Sequence, residues 1–133
     1  MEATENITTG QLRGFFAGWP NPPSPETHLR LLAQSDHVVL AIDDETKSVV
    51  GFITAISDNV LTAFVPLLEV LKPYQRRGIG TELMRRLIAK LKSLYMIDLL
   101  CDPELRSFYD RLGMKPAFGM MIRNYERQSG LAE

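Results

Sequence analysis

Residues 70–81, VLKPYQRRGIGT, constrain this chain more than any other stretch, because an apolar strand-like run passes there through a glycine-bearing loop into helical periodicity. After the loop, Ile79, Leu83, Leu87 or Ile88, Leu91 and Leu94 recur at helical spacing, with Arg85, Arg86, Lys90 and Lys92 on other faces. Such a helix packs on a sheet, so the segment predicts an α/β layered domain. A helix start leaves four backbone N–H groups without internal partners and carries about half a positive charge from its dipole. Gln75, Arg76, Arg77, Gly78, Ile79 and Gly80 can therefore surround an anion, with the glycines admitting its oxygens close to the backbone and the two arginines adding charge at the mouth. The loop does not run on into Gly-Lys-Ser/Thr as a nucleotide-phosphate loop would. It also lacks the third glycine and the later acid of a dinucleotide fold. Alone, it is equally compatible with a plain strand-to-helix turn.

The rest of the chain fits one layered domain, and 133 residues is the length of one. Residues 11–16 predict a short helix. The proline-rich stretch 19–25 predicts a loop, and Ser24 or Thr27 can cap a helix running to about Leu32. Residues 37–43 and 49–57 are β-branched and apolar and read as an antiparallel hairpin. Asp58 and Asn59 then turn into a third strand over 60–71, where Pro66 signals an edge, a bulge or a splayed ladder. Residues 95–101 (YMIDLLC) read as a buried strand, Pro103 to Leu112 as a helix with Gly113 just past its end, and 114–125 as one or two closing strands.

Charge divides the chain: residues 1–69 carry 3 basic and 9 acidic side chains, residues 70–133 carry 12 and 7. An anionic ligand on the second half and a cationic one beside the first would account for this, and the net charge of −1 speaks against nucleic-acid binding. With one cysteine, Cys101, and two histidines, His28 and His37, neither a disulfide nor a metal centre is expected. Cys101 reads as core and both histidines as surface or loop residues. No run is long enough to cross a membrane and no leader peptide is evident, so a cytoplasmic location is expected.

Val70, Gln75, Gly78 and Gly80 match the Val-x-x-x-x-(Gln/Arg)-x-x-Gly-x-(Gly/Ala) signature of the GNAT acetyltransferases. Residues 102–114, DPELRSFYDRLGM, resemble that family's later Asn-x-x-Ala-x-x-Phe/Leu-Tyr-x-x-x-Gly-Phe helix, with Asp102 where asparagine commonly holds the pantetheine arm and Met114 in place of phenylalanine. The resemblance spans about residues 38–123. It implies a mixed, mostly antiparallel sheet with helices on both faces and a splayed parallel pair, the fourth and fifth strands of that fold. It further implies that residues 70–125 bind acetyl-CoA and residues 1–35 form the acceptor side. The usual first strand would be confined to about residues 4–8.

On the same resemblance, Tyr109 protonates the departing coenzyme thiolate, the backbone at Leu68 holds the oxyanion, and Glu69 and Val70 pair with the pantetheine amides. Gln75, Arg76, Arg77, Gly78, Ile79, Gly80 and Thr81 take the pyrophosphate. Glu69, the carboxylate in the apolar run, is the candidate proton acceptor, and Phe108 reads as core. Phe15, Phe16, Trp19 and the prolines to Pro25 would wall the acceptor, a small-molecule amine, and a homodimer is possible. The expected activity is direct N-acetyl transfer in a ternary complex without a metal. The alternative is a coenzyme-A-binding regulatory or interaction module lacking transfer.

Overall fold

Alternation in two adjacent strands sets the layers. The structure, a computed structural model, describes residues 6–131. In β1 (His37–Ile42) and β2 (Val49–Ser57), Val39, Ile53 and Ala55 face one way, whereas Val38, Leu40 and Phe52 face the other. The first set packs against α2 (Ile79–Lys90) through Leu83, Met84 and Leu87; the second packs against Leu32 of α1 (Pro25–Gln34). Helices thus cover both faces, as expected. Full burial of side chains such as Phe52, Met84 and Leu87 contributes about 1.5–3 kcal/mol each. Ser24 accepts a hydrogen bond from the Thr27 N–H at 3.1 Å and so caps α1, with Pro25 in its first turn.

The sheet order is β1-β2-β3-β4, where β3 is Thr62–Val70 and β4 is Met96–Asp98; the first two pairs are antiparallel and β3/β4 is parallel. Thr54 pairs with Leu67 and Ile56 with Phe64, so Val65 and Pro66 together stand opposite Ala55. This is a bulge, and the proline without an N–H occupies it. Ala63 and Val65 face α2 before the bulge; Leu68 and Val70 do so after it, and Leu67 faces the α1 side. The parallel ladder ends at Phe64 and Asp98, leaving the rest of β3 unpaired on that side. The parallel pair thus parts where Pro66 interrupts β3.

Several local expectations change. Residues 11–16 are not helical: one 3-10 turn spans Thr9–Gln11, then Gly14, Phe16 and Gly18 adopt left-handed backbone, which ends regular helix. The 95–101 strand shrinks to Met96–Asp98, because its ladder with β3 stops and its other edge has no partner among the described residues. Cys101 lies beyond it and is exposed, not core. Residues 115–124 take no regular structure, so a fifth strand is not seen among the described residues. Residues 4 and 5 of the expected first strand lie outside those described, and Asn6 to Thr8 form none. The later helix is a 3-10 turn (Pro103–Leu105) leading into α3 (Arg106–Asp110), with left-handed Gly113 after it as expected.

Candidate active site

The loop from β3 to α2 is held by its own backbone. Leu71 N–H donates to the Val50 carbonyl at 2.8 Å, Tyr74 N–H to Leu71 at 2.9 Å, and the Gln75 side-chain amide to the Val70 carbonyl at 2.9 Å. Arg76 (φ 65°) and Gly78 (φ 82°) are both left-handed, a pattern that turns successive N–H groups toward one side as an anion-binding concavity. Gly78 is the residue just before α2, so the concavity and the helix start coincide. A Cβ built on Gly78 would meet nothing within 4 Å. The glycine therefore answers a backbone demand, and the space beside it is open, which suits the pyrophosphate of a coenzyme. Gly80 differs: a Cβ there would stand 3.6 Å from Phe108, in ordinary contact. Phe108, half-buried, packs α3 against the start of α2.

An array unseen in the sequence braces this loop. Tyr74 donates its hydroxyl hydrogen to Asp43 Oδ2 at 2.6 Å, and the Arg77 guanidinium lies 5.3 Å over the Tyr74 ring. Asp43 Oδ1 also accepts from the Glu45 and Thr46 N–H groups at 2.8 and 3.3 Å. The Tyr74 bond and then these N–H donors hold the Asp43 carboxyl below its ordinary pKa, and the same bond raises the Tyr74 phenol. Tyr74 and Asp43 are 31 residues apart; Tyr74 fills an unspecified position of the loop signature and Asp43 belongs to no motif. Their only signal was an aromatic beside two arginines.

Leu68, Val70, Ile79 and Tyr109 pack against one core cluster, so the strand end, the helix start and the later helix converge there. Leu68 lies four residues past Phe64, the last β3 residue paired with β4, where main-chain groups on that edge are open to a ligand. Tyr109 is half-buried, its ring edge-on to Phe108 with centroids 4.9 Å apart. Burial, then the neighbouring Cys101, raises its phenol pKa, so the hydroxyl keeps its proton at neutral pH and can donate it. Thr81 follows in the first turn of α2, partly exposed, and Asp102 is exposed just before the Pro103 turn.

Glu69 points to the other face. Its carboxylate accepts from the Phe16 N–H at 2.8 Å and the Ala17 N–H at 3.3 Å, tying β3 to the left-handed turn before the proline loop. Behind that turn lies a cluster the sequence did not reveal. His28 is 1% exposed, with ring centroids 5.2, 4.9 and 4.5 Å from Phe15, Phe16 and Phe52. Neither ring nitrogen has a hydrogen-bond partner, and burial lowers its pKa to about 4. The expected surface histidine is therefore a neutral core residue, placed one helical turn before Leu32 on the buried face of α1. Of the three aromatics expected to wall the acceptor, Phe15 and Phe16 pack against His28 and Phe52, whereas Trp19, 4.9 Å from Phe16 by centroid, is the most open to solvent. His37 is partly exposed on β1, its Nε2 2.7 Å from Asn59 Oδ1.

No group of three metal-capable side chains occurs among the described residues, and no described helix is long and apolar enough to cross a membrane. The profile of the Acetyltransferase (GNAT) family matches residues 4–114. An uncharacterized N-acetyltransferase, ycf52, of Porphyra purpurea is 28% identical over 120 residues, which are 85% of this chain and 68% of the relative. Among solved structures, a Deinococcus radiodurans R1 protein described provisionally as an acetyltransferase is 46% identical. It covers all of this chain and 92% of its own, at a TM-score of 0.96. A GNAT-family acetyltransferase of Streptococcus pneumoniae TIGR4 is 31% identical over 74% of this chain and 79% of its own, at 0.65. With the anion-binding loop at the end of a parting strand pair and a family match across most of its length, the chain belongs to the GNAT acetyltransferase family and is an acyltransferase.

Proposed function

We propose that the chain transfers the acetyl group of acetyl-CoA to the primary amine of a small molecule, by direct attack within a ternary complex. The observation that carries this reading is the left-handed turn at Arg76 and Gly78, which brings open space to the start of α2 at the end of β3. Gln75, Arg76, Arg77, Gly78, Ile79, Gly80 and Thr81 take the pyrophosphate there, while Val70 offers main-chain groups to the pantetheine arm; those of Glu69 are turned to Phe52 of β2, two residues along from the Leu71–Val50 bond. The reading treats residues 1–133 as one domain, with 1–35 on the acceptor side and 70–125 on the coenzyme side. A reducing, cytoplasmic setting agrees with the exposed thiol of Cys101.

An alkyl ammonium with a pKa near 10.4 is neutral only about once in 2,500 molecules at pH 7, so the amine must lose a proton before it attacks. Glu69 spends two of its roughly four lone-pair sites on the Phe16 and Ala17 N–H groups; those left can take this proton directly or through a water. The neutral nitrogen then bonds to the thioester carbon, and the N–H of Leu68 stabilises the oxyanion. As the C–S bond breaks, Tyr109 gives its proton to the sulfur, and the nitrogen, which now carries one proton more than the amide keeps, releases it through water to restore the Tyr109 phenol. Trp19, exposed beside an acidic half-chain, suits a cationic amine with an apolar body.

Titration calorimetry with acetyl-CoA, followed by a thiol-release screen over an amine library, tests the reading. Heat of binding and thiol release with at least one amine are expected. No binding would sink the loop assignment, and binding without release by any amine would sink the small-molecule acceptor.

A further inference from the structure

Residues 124–131 have no part in the chemistry above, yet they are bonded to the acceptor side of the molecule. Asn124 Oδ1 accepts from the Glu126 N–H at 3.2 Å and opens a 3-10 turn (Tyr125–Arg127), after which the Gly130 N–H donates to the Arg127 carbonyl at 3.0 Å. Gln128 Oε1 accepts from the Asn21 N–H at 2.9 Å, across 107 residues. The Gly130 carbonyl accepts from Arg30 Nη2 of α1 at 2.8 Å. Gly130 is left-handed (φ 74°), and a Cβ on it would stand 3.0 Å from Cγ2 of Thr27, one turn before Arg30. Its backbone conformation and its close approach to α1 both call for glycine.

The place of the Asn21 bond gives it weight. Pro20, Pro22 and Pro23 have no N–H, so Asn21 carries the only backbone donor of residues 20–23, and it is directed to Gln128. The loop is held at its start by Glu69, through Phe16 and Ala17, and at its end by the Ser24 cap. Between these anchors residues 17–22 are exposed, and Trp19 stands among them, two residues before Asn21. Taking the proline loop as the acceptor wall, the reading proposed above on which this rests, we infer that residues 124–131 clamp the loop from outside and fix Trp19 for the acceptor. Gln128 and Arg30 are then positioning residues for the acceptor. A loop fixed beforehand loses little freedom when the amine arrives, so the clamp lowers the amine KM. The coenzyme loop, on the α2 side of β3, is not touched by it.

Trp19 is the one tryptophan of the chain, so its fluorescence reads the loop directly. Gln128→Met keeps the length of the side chain and removes the acceptor oxygen, whereas Gln128→Glu keeps an oxygen for the Asn21 N–H. In the full chain, acrylamide quenching of Trp19 is expected to rise in Gln128→Met and in Gly130→Val and to stay at its original level in Gln128→Glu. Thiol release is followed with acetyl-CoA and 2-phenylethylamine, or with the library amine that releases thiol fastest. Gln128→Met should raise the amine KM about fivefold at unchanged kcat, the effect of one lost hydrogen bond, and Gln128→Glu should restore it. Unchanged quenching in Gln128→Met, or raised quenching with an unchanged amine KM, overturns the inference. An equal loss of acetyl-CoA affinity by calorimetry also overturns it, since the change would then be a general loosening. Should Gly130→Val fail to fold, Arg30→Leu removes the same contact. If the unsubstituted chain releases no thiol with any amine, the proposed acceptor fails, while the quenching of Trp19 still decides whether the clamp holds the loop.

Discussion

On the α2 side of β3 the site consists of backbone: two left-handed residues, a helix start and a strand edge without a partner, all near solvent. On the α1 side it consists of side chains: His28 buried among three phenylalanines, with Glu69 gripping the turn that carries Phe16. On the proposed reading the first arrangement recognises what every acetyl-CoA shares, phosphates and amides, and tolerates changes in side chains that keep the turn. The second is shaped by packing, where each substitution alters the wall. A coenzyme site of the first kind can stay constant while an acceptor site of the second kind varies.

The largest expected effect breaks the backbone side. Gly78→Val forces a β-branched residue to φ 82°. That costs about 2 kcal/mol in strain, and displaced N–H groups lose charge-assisted bonds of about 1.5–3 kcal/mol each. Acetyl-CoA affinity by calorimetry should fall on the order of a thousandfold, with Gly80→Val added to the same variant deepening the loss.

Next comes the packed side. His28 has a pKa of about 4 when folded against 6.5 unfolded, so the unfolded chain binds the extra proton between those values. Stability is therefore complete above pH 6.5 and falls as pH drops toward 4, by up to about 3 kcal/mol. Denaturant melts across this window should show the slope, and His28→Leu should flatten it. A slope that persists in the variant would assign it to other groups.

Tyr109→Phe keeps the ring and removes the proton donor. Turnover should fall about 100-fold with little change in acetyl-CoA affinity, measured by steady-state kinetics and calorimetry together. Equal losses in both would make Tyr109 a packing residue. The smallest effect sharpens the comparison from the coenzyme side: Tyr74→Phe frees Asp43 and loosens Arg77, which should raise the KM for acetyl-CoA a few-fold at unchanged kcat. An unchanged KM would leave the array with a purely structural part.

What the sequence disclosed follows the same division. The hairpin, α2, the Ser24 cap and the turn at Gly78 are local patterns, and they appear where periodicity and glycine placement put them. Residues 95–101 and 115–124 have equally good local patterns, yet a strand needs a neighbour, and nothing in YMIDLLC states that β3 turns away after Phe64. His28 escaped notice because a polar ring at a helical core position looks like a surface residue until its three phenylalanine neighbours, all from other segments, are assembled. The Asp43–Tyr74 pair depended on contact between segments far apart in sequence, which no local spacing encodes. Glu69 stood out as a carboxylate in an apolar run, but its two backbone donors became visible only with the fold.

The bulge at Val65 and Pro66 decides which of these two worlds each later residue of β3 belongs to. A strand assigns faces by counting, and one extra residue inverts the count, so Leu68 and Val70 turn to α2 and Glu69 to the Phe16 turn only because the bulge is there. Deletion of Pro66 alone would exchange the faces, sending the glutamate into the apolar core and Leu68 toward the Phe16 turn. Related chains should accordingly conserve the length of this strand more strictly than its composition, with single-residue insertions or deletions between Phe64 and Val70 selected against even where substitutions pass.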